Sequence, residues 1–343
     1  MIGAMRHAAV HAQVRARHAT LLEPAAWRGL LQERDLRGIA ARLRDTRYGP
    51  DLPDDAAGLE RELDAALAAE TLTVSTFAWG ETRALLDAYA RRFELANLKT
   101  ALRARFYALP AETRDLAMIP LPRTRLRWRA LSEAPSMEAF AGQLAGTPYA
   151  RPVRTVLEQK GEASPFPFEV ALDLAYFQTL VRRIQRLGGR DGRRARLLLG
   201  TWIAVENLSW AFRYRRLSGL TPEETVNYTL HSAFGAGLEA VRRVVLGATV
   251  AEEASRLGFT VDPDAPEDEA VAALERAADE ARAEAAVTMF FGAPFDLGAP
   301  LALLTLREVE VRDLVTLIEG RSADLDDAAL HARLLGPYAR GGT

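Results

Sequence analysis

Few residues in this chain are spaced for chemistry. His7 and His11 stand four apart, with His18 further along, so a helix would put the first two imidazoles on one face. No carboxylate stands near enough to complete a metal set, and a solvated helix face is the better reading. Gly188-Gly189-Arg190-Asp191-Gly192 is rich in glycine, but no strand precedes it. It reads as a helix end and turn rather than a phosphate cradle. Asp54-Asp55 and Asp326-Asp327 lack the aspartate-rich spacing of all-α prenyl-converting enzymes and suit helix N-termini instead. There is no Gly-x-x-x-x-Gly-Lys-Ser/Thr, and the absence of Cys excludes disulfides, zinc fingers and a thiol nucleophile. The residues predict no catalytic site, no cofactor and no metal.

Arginine offers binding rather than catalysis. Arg123, Arg125, Arg127 and Arg129 alternate with Thr124, Leu126 and Trp128, so an extended segment would aim all four guanidinium groups one way. That suits docking of an acidic protein segment. The alternative is a solvated loop with partners inside the chain, such as the acidic stretch 262–284. Net charge is −2, and no aromatic residues interleave with a continuous basic surface, which argues against nucleic acid.

The elements that must hold these residues are helical and repeated. Apolar residues make up 49 % of the 343, chiefly Ala and Leu, and charged residues 26 %, chiefly Arg and Glu. All four favour helices, and β-branched alternation is nearly absent, so the fold class is all-α. Within 94–105 stands Asn97-Leu98-x-x-Ala101-x-Arg103-x-Arg105. It returns 110 residues later as Asn207-Leu208-x-x-Ala211-x-Arg213-x-Arg215. A weaker copy, Asp313, Leu314 and Leu317, follows 106 residues on and is read as lacking both arginines. Such self-similarity means one unit used three times. Leu43-x-x-Thr46-x-Tyr48 likewise returns 101 residues on as Leu144-x-x-Thr147-x-Tyr149, and the third copy is read as lost.

Each unit predicts short helices and then a long antiparallel helical hairpin. The arms are 56–77 with 81–109, 168–187 with 193–217, and 267–291 with 299–319. Pro24 is placed at a first helical position, Asp35 and Asp326 as N-caps, and Thr221-Pro222-Glu223-Glu224 as a capping box. The units are set at 1–120, 121–222 and 223–343. Periodicity leaves an open stack and a closed ring as alternatives, with closure favoured by the lack of polar caps. The N-terminus breaks any apolar run with Arg and His, so it reads as no secretory signal, and no charge-free span of membrane length occurs. In the repeated motif, Asn97, Ala101 and Arg105 share one helical face beside Leu95, Leu98 and Leu102. Two readings stay open: a packing signature in each unit, or direct contact with a partner.

Taken in order, these motifs resemble the C subunit of the archaeal and bacterial V-type (A-type) rotary ATPases, the counterpart of the d subunit of the eukaryotic V-type ATPase. The matching residues are the two Leu-x-x-Thr-x-Tyr copies, Glu94-x-x-Asn97-Leu98-Lys99-Thr100 with Arg103 and Arg105, and Glu206-Asn207-Leu208 with Arg213. The stretch from Arg307 to Leu314, with Glu319-Gly320, matches as well. The resemblance spans nearly the whole chain. It implies three helical-hairpin domains in a pseudo-threefold funnel, seated peripherally on the cytoplasmic face of the membrane proteolipid ring. The central stalk subunits would enter the funnel, and the protein would turn with the rotor and pass torque without catalysing anything. It implies no nucleic acid and no small-molecule substrate. The Arg123–Arg129 run matches no feature of that family. The rival readings are a soluble α-helical scaffold for other proteins and an all-α enzyme with a buried site.

Overall fold

A computed structural model describes residues 2–217, 219–292 and 296–340, with side chains from residue 10 onward. Among the described residues there is no strand, and the all-α expectation is met. Eighteen α-helices and one π-helical turn are described, in two compact units. The first unit comprises Met1–Tyr176 and Leu306–Thr343, the second Phe177–Thr305.

In the first unit, α1 (Ile2–His18) is followed by α2 (Pro24–Gln32), which starts on Pro24, and α3 (Leu36–Arg44). Asp35 accepts a hydrogen bond from the Gly38 amide at 2.8 Å, supplying an acceptor for one of the first-turn donors of α3 that have no helical partner. Asp55 does the same for Gly58 at the head of α4 (Ala56–Phe77). Gly80, at φ +58, then opens α5 (Gly80–Tyr107), which packs on α4. α5 ends where Ala108 turns left-handed at φ 48. Short helices α6 (Ala111–Leu116), α7 (Trp128–Ser132), α8 (Met137–Gln143) and α9 (Ala150–Lys160) lead to the first part of α10 (Phe166–Arg186). The second part of α17 (Gly298–Ser322) and α18 (Asp327–Arg333), capped by Asp326, complete the unit.

Leu59, Leu63 and Leu67 stand four apart and form one buried face of α4. With Trp27, Ile39 and Leu43 they share a core with Leu314, Leu317 and Ile318 of α17. Each such side chain, fully buried, stabilises by about 1.5–3 kcal/mol.

In the second unit, the rest of α10 is followed by α11 (Gly189–Ala195), the π-helical turn Arg196–Gly200 and α12 (Thr201–Arg215). The expected turn at 188–192 is shorter than the glycines suggested, because the second arm already begins at Gly189 (φ +55). A Cβ on Gly192 would lie 2.3 Å from the Leu187 carbonyl oxygen, so that glycine permits a backbone approach and makes no cradle. Next come α13 (Pro222–Asn227), capped by the Thr221 box as read, α14 (Leu238–Val245), and α15 (Val250–Arg256) with a second box at Thr249. α16 (Glu267–Phe290) packs on α12 and its π-helical turn. Leu208, Phe212, Val241, Val244, Val271 and Leu274 are central to this core. The expected turn of the third hairpin falls partly on residues 293–295, outside the described residues.

The two units do not follow the three expected repeats, and the boundaries between the units fall within α10 and α17.

Candidate functional site: clamps and seams of the hairpins

The repeated motif places its polar head where the backbone needs it. Asn97 is fully buried on α5. Its side-chain amide donates to the Ile119 carbonyl at 2.8 Å and accepts from the Ile119 amide at 2.8 Å. Asn207 on α12 donates to the carbonyls of Leu230 (3.0 Å) and Ala236 (2.7 Å) and accepts from the Leu230 amide at 2.6 Å. Asp313 on α17 accepts from the amides of Leu335 and Gly336, both at 2.8 Å. Each residue clamps the chain 22 or 23 residues further on. The residue type follows from the backbone: a carbonyl and an amide to satisfy call for Asn, two amides call for Asp. Burial pushes the Asp313 carboxyl up to about 6, against the pull of the two amides. Ala101 and Ala211, one turn after the clamps, are fully buried.

The arginines that follow form seams between successive hairpins. Arg103 makes a two-bonded pair with Glu169 of α10, at 2.6 and 3.0 Å. Arg213 makes the equivalent pair with Glu275 of α16, at 2.8 and 3.0 Å. Arg105 reaches Glu162 at 2.5 Å, and Arg215 pairs with Glu267 while donating to the Val244 and Ala248 carbonyls. Lys99 adds a bridge to Asp173 at 2.8 Å. The acidic stretch 262–284 thus takes partners from α12 and from Arg216, which pairs with Asp268, while Glu280 and Asp279 pair with Arg276 and Arg282 of α16 itself. The reading that the third copy lacks both arginines needs correction. Arg321 stands eight residues after Asp313, as Arg105 does after Asn97 and Arg215 after Asn207. It is buried and donates to the Leu31 carbonyl (2.7 Å) and Asp327 (2.8 Å). Only the first arginine is replaced, by Glu319.

Leu-x-x-Thr-x-Tyr is a helix ending with a fixed bond pattern. The Thr46 amide and hydroxyl both donate to the Leu43 carbonyl, and the Tyr48 amide donates to the Thr46 hydroxyl. Thr147 repeats this with Leu144 and Tyr149. The tyrosines then meet second arms of hairpins. Tyr48 donates to Glu310 at 2.7 Å, and Tyr149 lies in the field of Glu94 and Arg91. Burial raises the pKa of both phenols, and the adjacent glutamate raises it further. Glu310 and Glu94 each stand three residues before a clamp, and Arg307 and Arg91 three before that.

The third copy of Leu-x-x-Thr-x-Tyr is lost in residue type, as expected, although a helix ending remains at that place. Ala254-x-x-Leu257-x-Phe259 lies 110 residues after its predecessor, with the Leu257 amide donating to the Ala254 carbonyl at 3.0 Å. Phe259 lines one depression with Thr201 and Ala204, the positions equivalent to Arg91 and Glu94. Phe259, Ala204 and Thr201 thus stand where the phenol, the glutamate and the arginine stand in the second copy.

The sequence alone also gave no sign of a fully buried charge. Arg307, with no exposed surface, donates to Glu70 at 2.8 Å and pairs with Glu310. It also donates to the Thr20 hydroxyl (2.8 Å) and the carbonyls of Thr20 and Arg17, while Glu310 accepts from the Leu22 amide. Burial works against the arginine's charge, and the Glu310 and Glu70 carboxylates outweigh it, so its pKa rises. These partners lie 237 residues or more apart, apart from the local Glu310, and leave no local period to read.

Arg123, Arg125 and Arg127 lie exposed on the loop before α7, while Arg129 is within that helix. The run is therefore not one extended segment. Leu126, buried, anchors the loop, and its amide donates to the Thr124 hydroxyl. Arg129 pairs with Glu133, but among the described residues the guanidinium groups of the other three have no partner. No cluster of three or more His, Asp or Glu side chains placed for a metal ion occurs among the described residues. The side chain of His7 lies outside them. No described helix is long and apolar enough to cross a membrane.

Known proteins resemble this chain over most of its length. The A-type ATP synthase C subunit of Methanocaldococcus jannaschii is 26 % identical over 349 residues, covering 96 % of this chain and 86 % of its own. That of Haloferax volcanii is 26 % identical over 346 residues, covering 95 % and 96 %. That of Thermococcus kodakarensis is 24 % identical over 320 residues, covering 90 % and 85 %. The model of the ATP synthase (C/AC39) subunit family matches residues 10–333, which include Asn97, Asn207 and Asp313; this chain belongs to that family.

Proposed function

We propose that this protein is the non-catalytic rotor connector of a V/A-type rotary ATPase. It seats the central stalk on the cytoplasmic face of the membrane proteolipid ring and carries torque between ion flow and ATP synthesis or hydrolysis. The observation that carries the reading is the bonding of the third repeat to the first, through Tyr48–Glu310 and Arg307–Glu70. In an open stack each repeat touches only its sequence neighbours, so this contact favours the connector over a scaffold with free ends. Stiffness is what a torque coupler needs, and long hairpins joined by paired charges and a buried clamp in each repeat provide it. Relatives named as ATP synthase subunits support the assembly, and the Arg123, Arg125 and Arg127 loop supplies unneutralised cations for an acidic segment of the stalk.

Co-purification with the stalk subunits tests the reading, and failure to bind stalk or ring at low salt would sink it. Replacing Arg123, Arg125, Arg127 and Arg129 by Ala should weaken stalk binding about tenfold and flatten its salt dependence. Unchanged affinity would remove the loop from the interface while leaving the connector role to the co-purification result.

A further inference from the structure

The three seams between hairpins are not equal. Where α5 meets α10, Arg103 holds Glu169; where α12 meets α16, Arg213 holds Glu275. Where α17 meets α4, the equivalent positions are Glu319 and Glu60, two carboxylates. One turn along, Lys99 and Asp173 of the first seam are replaced by Val315 and Asp64. Glu60, Asp64 and Glu319 have no hydrogen bond and no ion pair among the described residues.

The cations nearby have other carboxylates as their nearest partners. Arg61 of α4 lies 4.0 Å from Glu62, Arg321 of α17 holds Asp327, and Arg92 of α5, bonded to Glu308 at 2.9 Å, reaches Asp64 only through its field. Burial raises the Glu60 pKa, and the charges of Glu319 and Asp64 raise it further; burial raises that of Asp64 against the pull of Arg92. The other end of the same seam carries the buried Arg307–Glu70 bond. It is therefore fastened at one end and repelled at the other.

We propose that the α17–α4 seam is the weakest of the three, hinged at Arg307–Glu70 and loosened at neutral pH by Glu60, Asp64 and Glu319. The two other seams, each closed by an arginine, move with their neighbours as rigid pieces. The inference concerns the chain alone and does not depend on which partner it binds.

The sign follows from the charges. Both raised carboxyls favour the protonated form in the closed seam. The repulsion is therefore full above their folded pKa values and is relieved as pH falls through them.

Hydrogen exchange of the isolated chain tests this, with intrinsic rates corrected for pH. Exchange in residues 56–64 and 314–322 should slow by roughly two- to fivefold between pH 7.5 and 5, while residues 99–105 and 207–215 show no such slowing. Glu319→Arg should slow both segments at pH 7.5 by a similar factor, and Glu319→Gln should fall between it and the native chain. The mirror variant Arg103→Glu, which sets a carboxylate against Glu169, should loosen the α5–α10 seam instead. If Glu319→Arg leaves exchange in 56–64 and 314–322 unchanged, or if acid speeds it, these carboxylates do not loosen the seam.

Discussion

The Tyr48 hydroxyl donates to a carboxyl oxygen of Glu310 at 2.7 Å, joining residues 262 apart in sequence. The bond links a helix ending in the first repeat to the second arm of the third. Tyr48→Phe keeps the ring and removes only that bond. It should lower stability by about 1–2 kcal/mol, because Glu310 keeps Arg307 and the Leu22 amide. Urea unfolding of the two proteins side by side checks it; a loss above about 4 kcal/mol would show that the ring, not the hydroxyl, was disturbed.

Arg307 should be the least replaceable residue described. Arg307→Met leaves Glu70 and Glu310 buried with too little positive charge, although Arg47 lies 3.3 Å from Glu70. Losing one partner of a buried ion network costs about 3–5 kcal/mol. The same variant releases the Arg17 and Thr20 carbonyls, so proteolysis should cut near residue 20 before it cuts elsewhere.

At the clamps, Asn97→Asp and Asn207→Asp should each cost on the order of 2–4 kcal/mol at pH 7.5, by turning a carboxylate oxygen towards a buried carbonyl. Such a carboxyl has a folded pKa above its unfolded one. The deficit is therefore full above the folded value and shrinks as pH falls through it, when the protonated group again donates. Unfolding free energies at pH 7.5 and 5 should show the gap to the native chain closing, and a gap constant with pH would rule out this account.

Asp313 makes the same argument in the native chain. Its carboxyl, held at about 6, favours folding more as pH falls from about 6 towards 4, and the desolvation cost is fully present above about 6. Asp313→Asn should flatten the stability profile over that window. It should also lose about 1–3 kcal/mol at low pH, since an amide can accept only one of the two N–H groups. A profile of unchanged slope would place the titration elsewhere.

Much of this was legible in sequence. The span 56–77 was read residue for residue, the caps at Asp35, Asp326 and Thr221 followed from residue type, and the motif at Asn97 and Asn207 announced a repeated unit. What sequence hid was substitution made in concert. The third Leu-x-x-Thr-x-Tyr has become Ala254, Leu257 and Phe259, and the equivalents of the tyrosine's polar mates, at 201 and 204, have changed with it. Arg321 was overlooked because its neighbour position had become Glu319. Arg307 could not be foreseen as buried, since its partners lie far away in sequence, and a charged residue on a helix defaults to solvent.

The clamp position also bears on how the repeats can be exchanged. Asn at 97 and 207 suits a segment that offers one amide and at least one carbonyl, whereas Asp at 313 suits one that offers two amides. A graft that moved the segment after one hairpin onto another would need the matching clamp to travel with it. The three repeats are thus interchangeable in outline but not in parts, and a chimaera that ignored the clamp would carry a lock cut for a different key.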